Sequence, residues 1–273
     1  ILSADSRQLY RDLYIGTARP TPEESARVKH HLIGSLPLEQ HYSAGDYERD
    51  ALAILDQLFE KHDVVVLAGG TGFYVQALEE GMAELPQVSS EVREQVGAEV
   101  AANGHWSLYD ELKAADPESY EAMDLANPRR VQRAIEVIRS TGRPFSSFKR
   151  PGPKSRDFTM YKIGLNIDRA ELHTRINQRV DAMIKQGLIN EVKALKAQGY
   201  TLDTKALQSI GYQEVYQYLE GELSFQQAIE NIKTNTRRYA RRQLTWFRRD
   251  KTTRWFEPTE LEAILEYAHE CLQ

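Results

Sequence analysis

A short β-branched run, Asp63-Val64-Val65-Val66-Leu67-Ala68, ends on Gly69-Gly70-Thr71-Gly72 and leads into the helix-like Phe73–Glu80. A continuous apolar run of this length reads as a strand buried on both faces, which belongs to a parallel sheet covered by helices. Strand, glycine turn and helix in sequence is the α/β arrangement that places ligands at the carboxyl ends of strands. A second strand is predicted at residues 1–4, ending on the polar tip Asp5-Ser6, and a third at Met160–Ile167. Between them, Tyr47–Lys61 carries apolar residues at helical spacing, and Thr17 or Thr21 is placed to cap a short helix after Arg19-Pro20. Residues 88–148 contain no strand-like run. Asp116-Pro117 and Asn127-Pro128 mark helix starts there, and Pro151-Gly152-Pro153 breaks the chain after it. The stretch is therefore read as a helical insertion between two strands of one sheet. From Arg169 onward Leu172, Ile176, Val180, Ile184, Leu188, Val192 and Leu195 recur every three or four residues, so the remainder is expected to be helical.

Charge is concentrated in two places. The net charge is −5, yet residues 129–150 carry +6 and residues 237–256 carry +7, leaving −18 for the rest. An acidic chain with two basic stripes is expected to bind a polyanion locally. In Arg237–Arg249, guanidinium groups alternate with large aromatics. Arg238, Arg241, Arg242, Thr245 and Arg248 with Arg249 recur at helical spacing and face phosphates on this reading. Tyr239, Leu244, Trp246 and Phe247 then form the buried side. A solvated basic face paired with the acidic remainder is the alternative. The single cysteine, Cys271, excludes an internal disulfide and a cysteine-rich zinc site. His30, His31 and His41 lack metal-ligand spacing and are read as structural. No apolar run reaches the roughly 18 residues of a membrane span, so a cytoplasmic setting with no membrane partner is expected.

Two small clusters carry chemistry. Asp5 and Ser6, followed by Arg7-Gln8, place a carboxylate at a strand tip, where it can take a proton from a substrate or hold a magnesium-bound water. Asp and Ser are equally the usual capping residues, so a turn role stands beside the chemical one. Gly69, Gly70 and Thr71 offer amides and a hydroxyl to a phosphate, or simply form a turn that needs glycine for its backbone angles.

Six motifs in order carry a family resemblance. They are Ala4–Tyr10 (ADSRQLY), Ile15–Pro20 (IGTARP), Leu67–Tyr74 (LAGGTGFY), Asn127–Val137 (NPRRVQRAIEV), Ser209–Tyr212 (SIGY) and Arg241–Trp246 (RRQLTW). Together they resemble the bacterial tRNA dimethylallyltransferases, over essentially the whole chain. The resemblance implies a P-loop-NTPase-like parallel α/β core, residues 1–85 and 149–273, with an all-helical insertion domain, 86–148, over the tRNA anticodon stem-loop. It implies transfer of a dimethylallyl group from dimethylallyl diphosphate to the exocyclic amine of the adenosine 3′ of the anticodon, assisted by Mg2+, with a monomeric enzyme as the expectation. Asp5, Thr71 and Arg93 are carried over as catalytic residues, with Gly69, Gly70, Thr71 and Arg93 on the diphosphate. The implied tRNA contacts are Asp5, Ser6, Arg7 and Gln8; Arg129, Arg130, Val131, Gln132 and Arg133; Ile210, Gly211, Tyr212 and Gln213; and Arg241, Arg242, Gln243, Thr245, Trp246 and Arg248. The sequence departs from the family in lacking the opening strand and G-x-x-x-x-G-K-[ST] loop. Ile1 falls at the family's second strand, so sequence is expected to precede it, and a chain without that loop is expected to be nearly inactive. Two other readings compete: a P-loop-fold nucleoside or small-molecule kinase, which leaves the basic aromatic stripe unused, and a non-catalytic RNA-binding module, which leaves Asp5 unused.

Overall fold

The computed structural model describes residues 1–83, 85–148 and 152–272. The chain divides into two compact units, Ile1–Glu79 with Arg156–Gln273, and Glu80–Ser155. Pro151 of the expected chain break lies outside the described residues.

The first unit is built on strand β1 (Leu2–Ser3). Leu2, Ser3 and Ala4 are all buried, as expected of a strand covered on both faces. The chain then passes through α1 (Pro22–Arg27) and α2 (Ala44–Phe59) before β2 (Leu67–Ala68). Thr21 caps α1 in a capping box with Glu24, which leaves Thr17 to bond backbone carbonyls instead. The two strands are parallel, with Leu2 opposite Leu67 and Ser3 opposite Ala68. On its other side β1 meets His31, whose carbonyl accepts from the Ser3 amide at 3.0 Å. A single central strand thus carries hydrogen bonds on both edges, and α2 seals it: the fully buried Tyr47 donates its hydroxyl to the Ser3 carbonyl at 3.0 Å. Only two residues of the expected 63–68 strand pair; Val64 and Val66 are exposed.

Helix α3 (Gly72–Glu80) leaves the glycine turn. In the second unit follow α4 (Ser90–Asn103), α5 (Trp106–Ala115), α6 (Pro117–Ala122) and α7 (Pro128–Thr141). Both proline starts stand, at α6 and α7. Val96, Leu108, Leu112, Val131, Ala134 and Ile135 form this unit's own core.

Back in the first unit, β3 (Ile163–Leu165) is parallel to β4 (Arg254–Phe256), with Gly164 opposite Trp255. Two expectations need correction. Among the described residues β3 pairs with β4 and not with the β1–β2 sheet. The chain after Arg169 is also not wholly helical, because β4 lies inside the second basic stripe. The long apolar periodicity is cut as well. Helix α8 (Arg169–Gln186) ends at Gly187, whose φ of 105° is the left-handed stop of a helix, and α9 (Leu188–Ala197) starts in a new direction. After α10 (Tyr212–Leu219), the 23-residue α11 (Phe225–Phe247) packs its N-terminal half through Ala228 and Ile232. A final helix, α12 (Leu261–Glu270), follows β4. Among the described residues no helix is long and apolar enough to cross a membrane.

Candidate active site

The β1 tip and the glycine turn are stitched together by backbone. The Ala4 amide donates to the Ala68 carbonyl at 2.8 Å, and the Thr71 amide donates to the Ala4 carbonyl at 3.0 Å. The Ser6 amide donates to Thr71 Oγ1 at 3.0 Å. Asp5 serves the turn as capping residues do, with Oδ1 accepting from the amides of Arg7 (2.7 Å) and Gln8 (3.2 Å). Among the described residues Oδ2 takes no such bond, so one oxygen holds the loop and the other remains for chemistry. The turn role expected of Asp5 is met through Oδ1. Gln8 is turned away, donating to the carbonyls of Thr17 and Ala18 at 3.2 Å each.

The glycines are there for contact, not for their backbone angles. Gly69, Gly70 and Gly72 are not among the glycines with positive φ. A Cβ on Gly69 would lie 2.4 Å from the Ala4 carbonyl carbon and oxygen, on Gly70 2.0 Å from Gln243 Nε2, and on Gly72 2.2 Å from Trp246 Nε1. The turn is therefore a docking surface for α11. Gln243 donates to the Gly70 carbonyl at 2.8 Å, and Trp246 packs on Phe73 with ring centroids 4.6 Å apart. As a phosphate cradle the turn is reduced, since the Thr71 amide is already given to Ala4.

Tyr239 belongs to this site. It was expected on the buried side of the stripe, but it is 38% exposed, with its phenol near Thr71 and facing Asp5 and Arg7. Burial first, then the Asp5 charge, holds the phenol above its ordinary pKa against the opposing pull of Arg7, Thr71 and Arg242. Tyr239, Gln243 and Trp246 stand at i, i+4 and i+7, one face of α11. The spacing was readable in the sequence; the element it would meet was not.

Beside that face an open cavity of 340 Å³ is lined by Arg241, Arg242, Thr245, Trp246 and Arg249. Arg241, Arg242 and Arg248 are exposed. The Arg242 guanidinium lies 5.6 Å from the Tyr239 ring, and the Arg249 guanidinium 5.9 Å from the Trp246 ring. Arg248 donates to Asn166 Oδ1 at 3.2 Å, and the Thr245 hydroxyl is spent on the Arg241 carbonyl at 3.0 Å. Three guanidinium groups around an aromatic floor, with no carboxylate in the lining, suit a phosphate chain with stacked bases.

Other expected site residues lie apart. Ile210–Gln213 lead into α10, where the N-cap Gly211 has φ 96° and Tyr212 is fully buried. Tyr212 donates to Glu191 Oε1 at 2.5 Å, and Glu191 Oε2 accepts from the Ile15 amide at 2.8 Å. The Ile15–Pro20 and Ser209–Tyr212 motifs are thus tied through one carboxylate that sequence reasoning missed. Burial, then Glu191, pushes the Tyr212 phenol up. In the second unit, Arg93 lies on α4, and Arg129 and Arg130 are exposed in the first turn of α7. Gln132 and Arg133 are held by Glu136 at 3.2 and 3.3 Å. Val131 and Tyr212 need correction as tRNA contacts: each side chain is fully buried and offers RNA no surface.

A parallel α/β core with a carboxylate and hydroxyl at its strand tips, flanked by an arginine-aromatic helix, defines an enzyme class acting on nucleic acid. Residues 8–250 match the IPP transferase family. The tRNA dimethylallyltransferase 1 of Bacteroides fragilis is 45% identical over 267 residues, covering 98% of this chain and 88% of that protein. That of Bacteroides thetaiotaomicron is 46% identical over 267 residues, covering 98% and 86%. The crystal structure of a full-length tRNA isopentenylpyrophosphate transferase from Bacillus halodurans superposes with a TM-score of 0.70 at 36% identity, covering 99% of this chain and 86% of that one. The chain belongs to the IPP transferase family, and its fold is the P-loop-like α/β core with a helical insertion.

Proposed function

We propose that this chain transfers a dimethylallyl group from dimethylallyl diphosphate to the exocyclic N6 amine of the adenosine 3′ of the anticodon in tRNA, releasing diphosphate. The observation that carries it is the meeting of Asp5, Thr71 and the Tyr239–Gln243–Trp246 face of α11 at one strand tip. An adenine amine is a poor nucleophile, and its nitrogen must be delivered out of the base stack. The N6 nitrogen forms a bond to the allylic carbon as the carbon–oxygen bond to diphosphate breaks. The electron pair leaves with the diphosphate oxygen, and the amine proton goes to Asp5 Oδ2. The turn bonds at Oδ1 hold that carboxylate in place. Thr71 supplies a hydroxyl to the leaving group, and Arg241, Arg242 and Arg248 hold tRNA phosphates.

Among the described residues no three His, Cys, Asp or Glu side chains form a metal cage. Magnesium takes few protein ligands and keeps water and phosphate oxygens, so it would come bound to the diphosphate rather than to Asp5, whose Oδ1 is on the turn amides and whose Oδ2 takes the proton. When bound, it neutralises charge on the departing diphosphate. In the second unit, Arg129 and Arg130 are proposed tRNA contacts and Arg93 a diphosphate contact. Both α7 arginines oppose the helix dipole, a cost that phosphate binding offsets.

The test is mass spectrometry of an anticodon stem-loop RNA incubated with the full-length protein, dimethylallyl diphosphate and magnesium. The expected product is heavier by one dimethylallyl group. Asp5→Ala is expected to keep RNA affinity within about twofold while transfer falls by roughly a hundredfold or more. Equal loss of both would remove Asp5 from the base role, and an unmodified RNA would overturn the reaction.

A further inference from the structure

We propose that the exposed face of Phe73 is a stacking platform for one unpaired base of the anticodon loop, a near neighbour of the adenosine that enters the site. The inference rests on the tRNA reading above and deepens it, adding a base contact that charge does not supply.

Phe73 opens α3 directly after the glycine turn, yet it stays out of the core that Tyr74 and Leu78 of the same helix enter. It remains 49% exposed. Single exposed apolar residues are ordinary on a protein surface. What sets Phe73 apart is how it is held. Trp246 Nε1 fills the space over Gly72, 2.2 Å from where a Cβ would lie, so the indole is pinned by its edge. Phe73 leans on that indole with ring centroids 4.6 Å apart and planes at 53°. Gln243 bonds the Gly70 carbonyl at 2.8 Å and keeps α11 in register with the turn. The phenyl ring is therefore braced on its Trp246 side while nearly half of the residue stays open to solvent. A ring held in this way has little freedom left to lose when a base stacks on it.

The surroundings select the occupant. Trp246 also lines the open 340 Å³ cavity with Arg241, Arg242 and Arg249, and the Arg249 guanidinium lies 5.9 Å from the same indole ring. Guanidinium groups without a carboxylate in the lining, beside an exposed ring, suit a phosphodiester chain that stacks a base as it passes. Phe73 stands two residues beyond Thr71, whose Oγ1 accepts from the Ser6 amide next to Asp5 at 3.0 Å. A base that reaches the ring thus belongs to a nucleotide close to the one that reaches Asp5. Extruding the adenosine strips its neighbour of a stacking partner, and the phenyl face replaces it. Every base has a π-face and phenylalanine has no polar atom on its side chain, so the contact binds without reading sequence.

The test is the affinity of the full-length protein for an anticodon stem-loop RNA and for a set of the same RNA, each lacking one loop base. Phe73→Ala is expected to weaken binding to the intact RNA about tenfold. The salt slope should not change, because stacking neutralises no phosphate. Phe73→Trp, which keeps an aromatic face, should bind within about twofold of wild type. With one of the abasic RNAs, Phe73→Ala should cost nothing further, since ring and base act on each other. Unchanged affinity in Phe73→Ala overturns the inference, as does a loss that persists in full with every abasic RNA. A lower thermal midpoint with unchanged affinity would show that protein, from this chain or a second copy, covers the ring, and would overturn it too. Wild type that binds the RNA without modifying it overturns the transfer reading and leaves the platform standing; wild type that does not bind overturns both.

Discussion

Gly69 shows how little room the site's backbone leaves. Its missing Cβ would meet the Ala4 carbonyl at 2.4 Å, and that carbonyl is held in the parallel pair and bonded to Thr71, so nothing yields cheaply. Gly69→Ala is expected to destabilise the protein by about 1–3 kcal/mol, read as a lower urea midpoint. Gly97 is the contrast. It sits in the middle of α4 with nothing within 4 Å of where a Cβ would lie, so Gly97→Ala should stabilise its helix by about 0.5–1 kcal/mol. The two substitutions are chemically identical and opposite in sign, because one glycine touches backbone and the other touches water.

At the scale of an element, α11 does two jobs on two faces. Gln243 and Trp246 bind the glycine turn, while Arg241 and Arg248 remain at the surface. Each arginine that neutralises an RNA phosphate releases counterions, so the logarithm of tRNA affinity falls with the logarithm of salt. Arg241→Ala and Arg248→Ala are each expected to reduce that slope by roughly 0.7–0.9; an unchanged slope in both would remove the helix from the phosphate path. The basic-aromatic composition was legible in the sequence because charge at helical spacing needs no knowledge of neighbours. Which aromatic served the core and which the site was not legible, since that depends on the turn 170 residues earlier. The same limit hid β4. Arg254, Trp255 and Phe256 carry no alternating pattern and sit among arginines, and they are a strand only because Ile163–Leu165 lies beside them. Strand β1, the helix starts at Pro117 and Pro128, and a cap for α1 at Thr17 or Thr21 were readable because their signals are local. Glu191 was not, since a carboxylate on a regular helix face gives no sign of the amides it collects from Tyr14 to Gly16.

At the scale of the whole molecule, each unit has its own core, and in the first unit β3 is tied to the end of α11. Lys162, just before β3, pairs with Glu79 at 2.5 Å and with Asp250 just beyond α11. Burial works against the Asp250 charge, but Lys162 and the Thr252 amide and hydroxyl outweigh it and hold its pKa at about 2, against an ordinary 3.8. A carboxylate with a depressed folded pKa contributes stability that is complete above the unfolded value and disappears as pH falls through the folded one. Stability should therefore decline between about pH 4 and pH 2, and Asp250→Asn should flatten that decline by up to about one proton in the slope of unfolding free energy against pH. Urea titrations at several pH values would show it; an unchanged slope would mean that the pair is screened by solvent.

The contact between Gln243 and Gly70 spans 173 residues, and with Trp246 over Gly72 it ties α11 to the glycine turn. During synthesis from the amino terminus, the Asp5 loop and the glycine turn emerge early and the helical unit follows with its short-range contacts. The groups that fix the turn emerge nearly last. A ribosome that stops before residue 243 releases a chain whose helical unit has all its own partners and whose glycine turn keeps only its local bonds, so the reactive corner is completed among the last parts of this protein.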